Sequence, residues 1–249
     1  MSVPLLSLAG LRKSFWRGVR EVIVLEDASL AAYPHDFVCV VGGRSSGKTT
    51  LLEIAAGMRQ PDAGRVLYAG RDLASLGDRA RGRLRRSEIA CVWNRNAPSV
   101  HSGSVLDHVA LPLVSAGIAR TARRRAASEM LERVGAREHA RSRLSALSDA
   151  EKTRVALAQA AVRMPRLLIL DEITDTLDMI ERNAVLGALQ SFANDGVAVL
   201  LSAADAHGAA GANRCFYLAD GRLVGGQDRA PGTVVEFPRP ERRERDQSG

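Results

Sequence analysis

Short apolar runs separated by polar segments dominate the hydrophobic pattern of this chain. The runs at residues 5–8 and 22–25 are separated by charged residues and a glycine, which predicts two short strands joined by a turn. Residues 37–41, 167–170 and 197–201 are continuous apolar runs. Because such runs are typical of strands buried on both faces, we expect an α/β fold with a mostly parallel sheet flanked by helices.

Helical segments are predicted between these strands. Residues 48–58 follow the first buried run as a helix, and a turn at 61–64 leads into a further strand at 65–68. The pattern from about 105 to 144 is helical. Its candidate inward positions are Leu111, Leu113, Met130, Leu131 and Val134.

The composition is that of a globular protein, with 46% hydrophobic and 25% charged residues in 249. No apolar run reaches the roughly 18–20 residues needed to cross a bilayer. The N-terminus lacks the features of a secretory signal, so we expect a cytosolic chain. Three distant cysteines suggest neither a disulfide framework nor a metal site. We expect one domain at 1–237 and a disordered charged tail at 238–249, which has no apolar residues beyond its prolines.

The basic residues are almost all arginine, and the net charge is +7. This charge would suit nucleic acid or an anionic membrane surface. The arginine clusters at 79–86 and 120–125 are more typical of solvated helix faces than of ligand sites. We therefore expect no nucleic-acid partner.

A glycine-rich motif follows the first buried run. Gly42–Thr49 reads Gly-Gly-Arg-Ser-Ser-Gly-Lys-Thr and fits G-x-x-x-x-G-K-[ST] between a predicted strand and a predicted helix. Glycines allow backbone N–H groups to surround a polyphosphate, and the helix adds the positive end of its dipole. Lys48 would reach the outer phosphates, and the Thr49 hydroxyl would ligate Mg²⁺. The alternative, a glycine turn that binds nothing, is disfavoured by this context.

An acidic pair ends the run at 167–170. Asp171 would lie at the rim of the sheet, where a carboxylate can hold the magnesium shell, and Glu172 can polarise an attacking water. Acidic residues after strands are common. The phosphate loop upstream gives this interpretation its weight, because it supplies the ligand that the carboxylates need.

With both motifs in place, the chain resembles the ATP-binding cassette (ABC) ATPases from about residue 5 to 224, and is most similar to the branch that powers lipoprotein release and macrolide export. The matching stretches lie at 47–52, 57, 61–64, 105–113, 171–178 and 220–223. The resemblance implies a P-loop NTPase fold with an antiparallel β subdomain and an α-helical subdomain at about 95–155. It also implies a dimer, in which each ATP lies between one chain's phosphate loop and the other's signature motif.

The resemblance gives individual residues roles. It implies that Glu172 is catalytic, that Thr49 and Asp171 bind the metal, and that Asp178 lies in the loop across the dimer interface. Phe15 is similar to the aromatic that stacks on adenine, but it could equally be a core aromatic. The implied nucleotide-binding residues are Phe15, Gly42, Gly43, Arg44, Ser45, Ser46, Gly47, Lys48, Thr49, Thr50 and Asn94.

The chain departs from the family pattern at residues with a task in hydrolysis. Asn94 stands where the family has a longer glutamine. The signature, normally Leu-Ser-Gly-Gly-Gln, reads Leu-Ser-Asp-Ala-Glu at 147–151. Asp149 would place a negative charge against the partner's γ-phosphate, and Ala150 would add a methyl group where the backbone approaches it. Ala204 stands at the position of the switch histidine and has no hydrogen-bonding side chain.

Two smaller differences accompany these changes. Ile173 replaces the usual proline, and Ser45 stands where the family usually has glycine. His207 lies three residues beyond Ala204 and would replace the missing histidine only in a longer loop; a solvent-exposed loop histidine is the expected outcome. Losing a positioned acid or base typically costs about 10² to 10⁴ in rate. We therefore expect the chain to bind ATP and Mg²⁺ and to hydrolyse ATP weakly.

The leading functional hypothesis is the ATP-binding subunit of an ABC transporter. It would act on a separate membrane permease at the inner face of the cell membrane, as a homodimer or with another cassette. The alternative is a non-hydrolysing regulatory module that dimerises on ATP. A third class, cassettes that act on DNA or ribosomes, carries inserted coiled coils, zinc modules or a second cassette, and the sequence has none of these.

Overall fold

The computed structural model describes residues 3–93 and 103–228, and two sheets form the framework of this part of the chain. An antiparallel sheet of four strands has the spatial order β2 (Arg20–Ala32), β1 (Leu6–Arg17), β4 (Ala63–Tyr68) and β5 (Arg71–Asp72). A six-stranded sheet has the order β10 (Arg222–Asp228), β9 (Arg214–Ala219), β3 (Phe37–Val41), β8 (Ala198–Ala203), β7 (Leu167–Asp171) and β6 (Ile89–Trp93).

In the larger sheet, the strands from β9 to β6 are parallel, and only β10 pairs antiparallel with its neighbour. The described helices are α1 (Lys48–Ala55), α2 (Asp78–Ser87), α3 (Val105–Val114), α4 (Arg120–Arg133), α5 (Asp149–Ala161) and α6 (Met179–Asn194). Short 3₁₀ turns lie at Leu73–Ser75, Arg137–Arg141, Leu144–Ala146 and His207–Ala209. None of these helices is long and apolar enough to span a bilayer.

Successive residues of the central strands face two different hydrophobic cores. In β3, Phe37, Cys39 and Val41 join the core formed with α3 to α6, whereas Val38 and Val40 join the core formed with α1 and the antiparallel sheet. Strand side chains alternate between faces. This explains the apolar runs without alternation, and the mostly parallel sheet predicted from them is confirmed.

The first two strands are longer than predicted. β1 and β2 extend well beyond the apolar runs at 5–8 and 22–25, and they form a ribbon whose outer end is exposed. Only one face of this ribbon is buried, so polar residues occupy much of its length. The strands predicted from the apolar runs alone were therefore too short.

The predicted helical stretch at 105–144 is divided. α3 ends at Val114 and α4 begins at Arg120, with Gly117 between them at a φ of 72°. Four of the five predicted inward residues are buried, but Leu111 is 38% exposed, so its prediction was wrong. The cap of α3 was not found from the sequence: the Ser104 hydroxyl accepts a hydrogen bond from the Asp107 amide.

Candidate nucleotide-binding site

A cleft of about 850 Å³ lies above the carboxyl ends of the parallel strands. β3 ends at Val41, β7 at Asp171 and β8 at Ala203, and these strands are neighbours in the sheet. Ligands of such sheets bind at this edge. The cleft is lined by Phe15, Trp16, Arg17, Val22, Val24, Glu172 and residues 44–50.

Close approach of neighbouring backbone requires glycine at two positions of the phosphate loop. A Cβ on Gly42 would lie 2.7 Å from the Leu218 carbonyl oxygen. Gly47 caps α1 at a φ of 105°, and a Cβ there would lie 2.8 Å from the Val24 carbonyl oxygen. Ser45 also has a positive φ, 62°, at the position where the family usually has glycine. A left-handed serine costs about 1 kcal/mol, so the loop tolerates some strain.

Lys48 lies beneath this loop with only 3% of its surface exposed. Its ammonium donates hydrogen bonds to the carbonyl oxygens of Gly42 at 2.6 Å and Gly43 at 2.9 Å. It also forms an ion pair with Glu172 Oε1 at 3.0 Å. A buried charge needs such partners, and the three together hold the ammonium at the base of the cleft.

The acidic pair is fixed by two hydroxyl groups. Thr49 Oγ1 donates to Asp171 Oδ2 at 2.8 Å, and Ser202 Oγ donates to Asp171 Oδ1 at 2.7 Å. Ser202 Oγ also accepts a hydrogen bond from the Glu172 amide at 3.0 Å. Ser202 was not identified from the sequence, although a hydroxyl residue in an otherwise apolar strand was the available signal.

The residues present suit a magnesium-bound polyphosphate. The Ser46 hydroxyl is buried and has no hydrogen-bond partner among the described residues, beside a loop that glycine keeps free of side chains at 42 and 47. Thr49 and Asp171 offer oxygen ligands of the kind that Mg²⁺ prefers. In the described part of the chain, no three His, Cys, Asp or Glu residues form a metal cluster. Phosphate oxygens and water would therefore complete the coordination of the ion.

Phe15 lies in β1 at the rim of the cleft and is partly buried. The Lys13 ammonium is 5.7 Å from its ring centroid, and the Arg59 guanidinium carbon is 5.1 Å away. Trp16 lines the same cleft with 71% exposure and was not considered from the sequence. Stacking of adenine on Phe15 stays a prediction.

The loops after β7 and β8 meet beside Glu172. Glu172 has a φ of 51°, and the Asp175 carboxylate accepts a hydrogen bond from the Ala204 amide at 3.3 Å. The pKa of Asp175 is raised above its usual 3.8, chiefly by burial; the bond from Ala204 opposes this shift, and the charge of Glu172 adds to it. The His207 side chain is 81% exposed and lies 3.9 Å from Asp205, so it points toward solvent.

The signature segment at 147–151 starts α5 and is capped by its own side chains. Ser148 Oγ accepts from the Glu151 amide at 3.2 Å, and Glu151 Oε2 accepts from the Ser148 amide at 2.7 Å. The Asp149 side chain is 92% exposed. Ala150 is only 7% exposed and packs into the larger core. Its methyl group therefore points inward, contrary to the expected position at the nucleotide surface.

A further predicted residue, Asp178, is not among the residues that line the cleft. Asp178 caps α6, with its Oδ1 accepting from the Glu181 amide at 2.8 Å. Asn94 lies outside the described residues, as do the tail at 238–249 and the first part of the predicted helical subdomain. A second cleft, of about 670 Å³, lies between β6, α3 and α5 and contains none of the phosphate loop.

Residues 25–175 match the family model described as ABC transporter. The chain belongs to this family. It is 37% identical over 225 residues to the lipoprotein-releasing system ATP-binding protein LolD of Ruegeria pomeroyi, covering 90% of this chain and 98% of the relative. It is 32% identical over 234 residues to the macrolide export ATP-binding/permease protein MacB of Nitrobacter winogradskyi. That alignment covers 94% of this chain but only 36% of the relative.

The fold of this ABC-family chain is shared with solved cassettes. The dimeric structure of the cassette MJ0796 bound to ADP and Pi superposes with a TM-score of 0.81 at 24% identity, covering 93% of this chain and all (100%) of that one. The family resemblance and the P-loop NTPase fold inferred from the sequence are confirmed. The relatives do not favour the regulatory alternative, since those described are ATP-binding components of transporters.

Proposed function

We propose that the chain is the ATP-binding subunit of an ABC transporter, which binds Mg-ATP and hydrolyses it slowly. One observation carries this proposal: the buried ammonium of Lys48 lies between the phosphate-loop carbonyls and Glu172, next to the Thr49–Asp171 pair. These groups would supply anion binding, metal binding and a general base at one edge of the sheet.

Each group has a task that follows from its chemistry. The loop amides and the N-terminus of α1 would bind phosphate oxygens, and Lys48 would exchange its contact with Glu172 for one with the outer phosphate. A magnesium ion, held by Thr49 and Asp171, would neutralise charge on the phosphates. Glu172, released from Lys48, would orient a water and accept its proton.

Slow turnover follows from what the chain has at positions 149 and 204. Ala204 has no side chain that can donate a hydrogen bond to a nucleotide, and its backbone amide is already bonded to Asp175. At the start of α5, the exposed carboxylate of Asp149 would repel the nucleotide of a second cassette. Both effects reduce transition-state stabilisation, and neither prevents nucleotide from binding to the chain's own phosphate loop.

The relatives support a membrane partner. The MacB relative is named an ATP-binding/permease protein, and this chain corresponds to about a third of it, 36%. The LolD relative is named an ATP-binding protein and is covered almost completely, at 98%. We infer that this chain acts with a membrane permease at the cytoplasmic face of the membrane, and that it pairs with a second cassette.

Calorimetric titration of the purified chain with Mg-ATP tests the binding step. We expect saturable binding that Lys48→Ala weakens by at least about tenfold, because the buried ammonium is lost. Lys152→Ala is the matched control, since Lys152 lies on α5 and pairs with Asp149. Absence of binding by the wild-type chain, or equal binding by the Lys48→Ala variant, would refute the proposal.

Single-turnover hydrolysis, with protein in excess over radiolabelled ATP, tests the chemical step. We expect Glu172→Gln to retain Mg-ATP binding and to lower the rate by about 10² or more. A rate unaffected by Glu172→Gln would contradict the catalytic role of this carboxylate. A wild-type rate typical of active transport ATPases would contradict slow turnover.

A further inference from the structure

Asp175 is an acidic residue that the family roles above do not use. It lies in the loop at 172–178, and its Oδ1 accepts a hydrogen bond from the Ala204 amide at 3.3 Å. Ala204 is the position at which the family resemblance places the missing switch histidine. The carboxylate of Asp175 is therefore anchored beside the position where this chain has a methyl group in place of an imidazole.

The loop that carries Asp175 is held firmly. Ile173 and Thr174 are 4% and 0% exposed. The Asp175 amide donates to the Glu172 carbonyl oxygen at 3.4 Å, which closes a turn over residues 172–175. A Cβ on Gly208 would lie 3.3 Å from Thr174 Oγ1, so the turn after β8 packs directly on this loop. Such packing limits the positions that the Asp175 side chain can take.

Asp175 is also coupled to the charges of the site. It is partly buried, and the charges of Glu172, Lys48 and Asp205 all act on it. Interactions of this kind fall off with distance and are screened in water. The Asp175 carboxylate thus shares the local environment of Glu172 and Lys48.

Resting on the proposed function, we propose that Asp175 orients the attacking water together with Glu172 and so performs part of the task of the absent histidine. A carboxylate is an acceptor, so two of them can receive both O–H bonds of one water molecule. The oxygen lone pair of that water then faces the γ-phosphorus. As the new P–O bond forms, one proton passes to Glu172, the bond to the bridging oxygen breaks, and ADP leaves; Asp175 keeps its protonation state.

A double-mutant cycle between positions 175 and 204 tests this inference. Asp175→Asn keeps an oxygen that can accept from the Ala204 amide but loses the second acceptor, so we expect kcat to fall about 10- to 100-fold with KM for ATP unchanged. In the Ala204→His background, an imidazole can contact the water. There we expect Asp175→Asn to lower kcat by less than about threefold. Asp205→Asn removes a neighbouring, exposed carboxylate and should leave kcat within about twofold of wild type.

The melting temperature of each variant shows whether it is folded, and its affinity for Mg-ATP shows whether it binds nucleotide. Equal kcat for wild type and Asp175→Asn would overturn the inference, as would an equal loss in the wild-type and Ala204→His backgrounds. If wild type binds Mg-ATP but shows no single turnover, this inference fails while nucleotide binding stands. If wild type does not bind Mg-ATP, the proposed function itself fails.

Discussion

Asp62 shows how one carboxylate joins two segments of the antiparallel sheet. Its Oδ1 accepts from Lys13 Nζ at 2.5 Å, and its Oδ2 accepts from the Ser14 amide at 2.7 Å. The hydrogen bond from Lys13 and then the one from Ser14 lower the pKa of Asp62 below its usual 3.8. A lowered folded-state pKa stabilises the fold above the unfolded-state pKa, and this contribution disappears as the pH falls through the folded-state value.

We therefore expect Asp62→Asn to lower the free energy of unfolding at neutral pH by less than about 1 kcal/mol, because the ion pair is partly exposed. The difference from wild type should shrink as the pH falls below 3.8, the usual pKa. Urea denaturation at several pH values between about 7 and 3 measures it. A difference that stays constant over this range would contradict the expectation.

Individual site residues could be predicted where the motif has a fixed spacing. Thr49 contacts Asp171 and Lys48 contacts Glu172, because a loop between strand and helix leaves little freedom. Their roles in nucleotide binding and catalysis stay predictions. The hydroxyl of Ser202 in an apolar strand was a signal, but its contact with Asp171 could not be predicted, since that contact depends on the register of β7 with β8. A local pattern does not contain that register.

At the level of helices, α6 contains an exposed glycine that packing does not require. A Cβ on Gly187 would meet no described atom within 4 Å outside the helix's own backbone. Glycine in a helix is less favourable than alanine because of its larger backbone entropy in the unfolded chain. This helix is therefore less stable than its backbone geometry allows.

We expect Gly187→Ala to raise the free energy of unfolding by about 0.5–1 kcal/mol, measured by urea denaturation. Gly117→Ala is the matched control: a Cβ there also meets no described atom within 4 Å, but the φ is 72°. The control should destabilise the chain by about 1 kcal/mol. Stabilisation by both variants would show that backbone conformation does not decide the outcome.

Elements buried on both faces gave the clearest signal in the sequence, and one central strand was missed. β3, β7 and β8 are continuous apolar runs that lie between two cores. β9 was not predicted, although it pairs with β3 at the centre of the sheet. Its sequence, Arg-Cys-Phe-Tyr-Leu-Ala, contains an apolar run at 215–219, which was the available signal, although the strand is only partly buried.

At the scale of the whole molecule, the surface at the start of α5 affects how strongly a second cassette binds. The hydroxyl and amide of Ser148 are both engaged with Glu151, and the neighbouring exposed side chain is the carboxylate of Asp149. A nucleotide phosphate approaching this helix start would meet a negative charge. Dimer formation on ATP should therefore be weak for this chain with itself.

We expect Asp149→Gly, placed in the Glu172→Gln background to prevent turnover, to strengthen ATP-dependent self-association by about two- to fivefold per nucleotide site. Sedimentation velocity with and without Mg-ATP measures the effect. Ala150→Gly is the control, because the Ala150 methyl group faces the core. An equal increase for both variants would mean that the charge of Asp149 is not the cause.

The contacts of Lys48 have a consequence for how the polypeptide matures. The Glu172 carboxylate balances the charge of this cation, and two carbonyl oxygens of the chain accept its hydrogen bonds, so the base of the phosphate loop carries no unbalanced positive charge. The polypeptide does not need an anion as a template in order to acquire its native form. A freshly synthesised chain can thus fold first and take up its nucleotide afterwards.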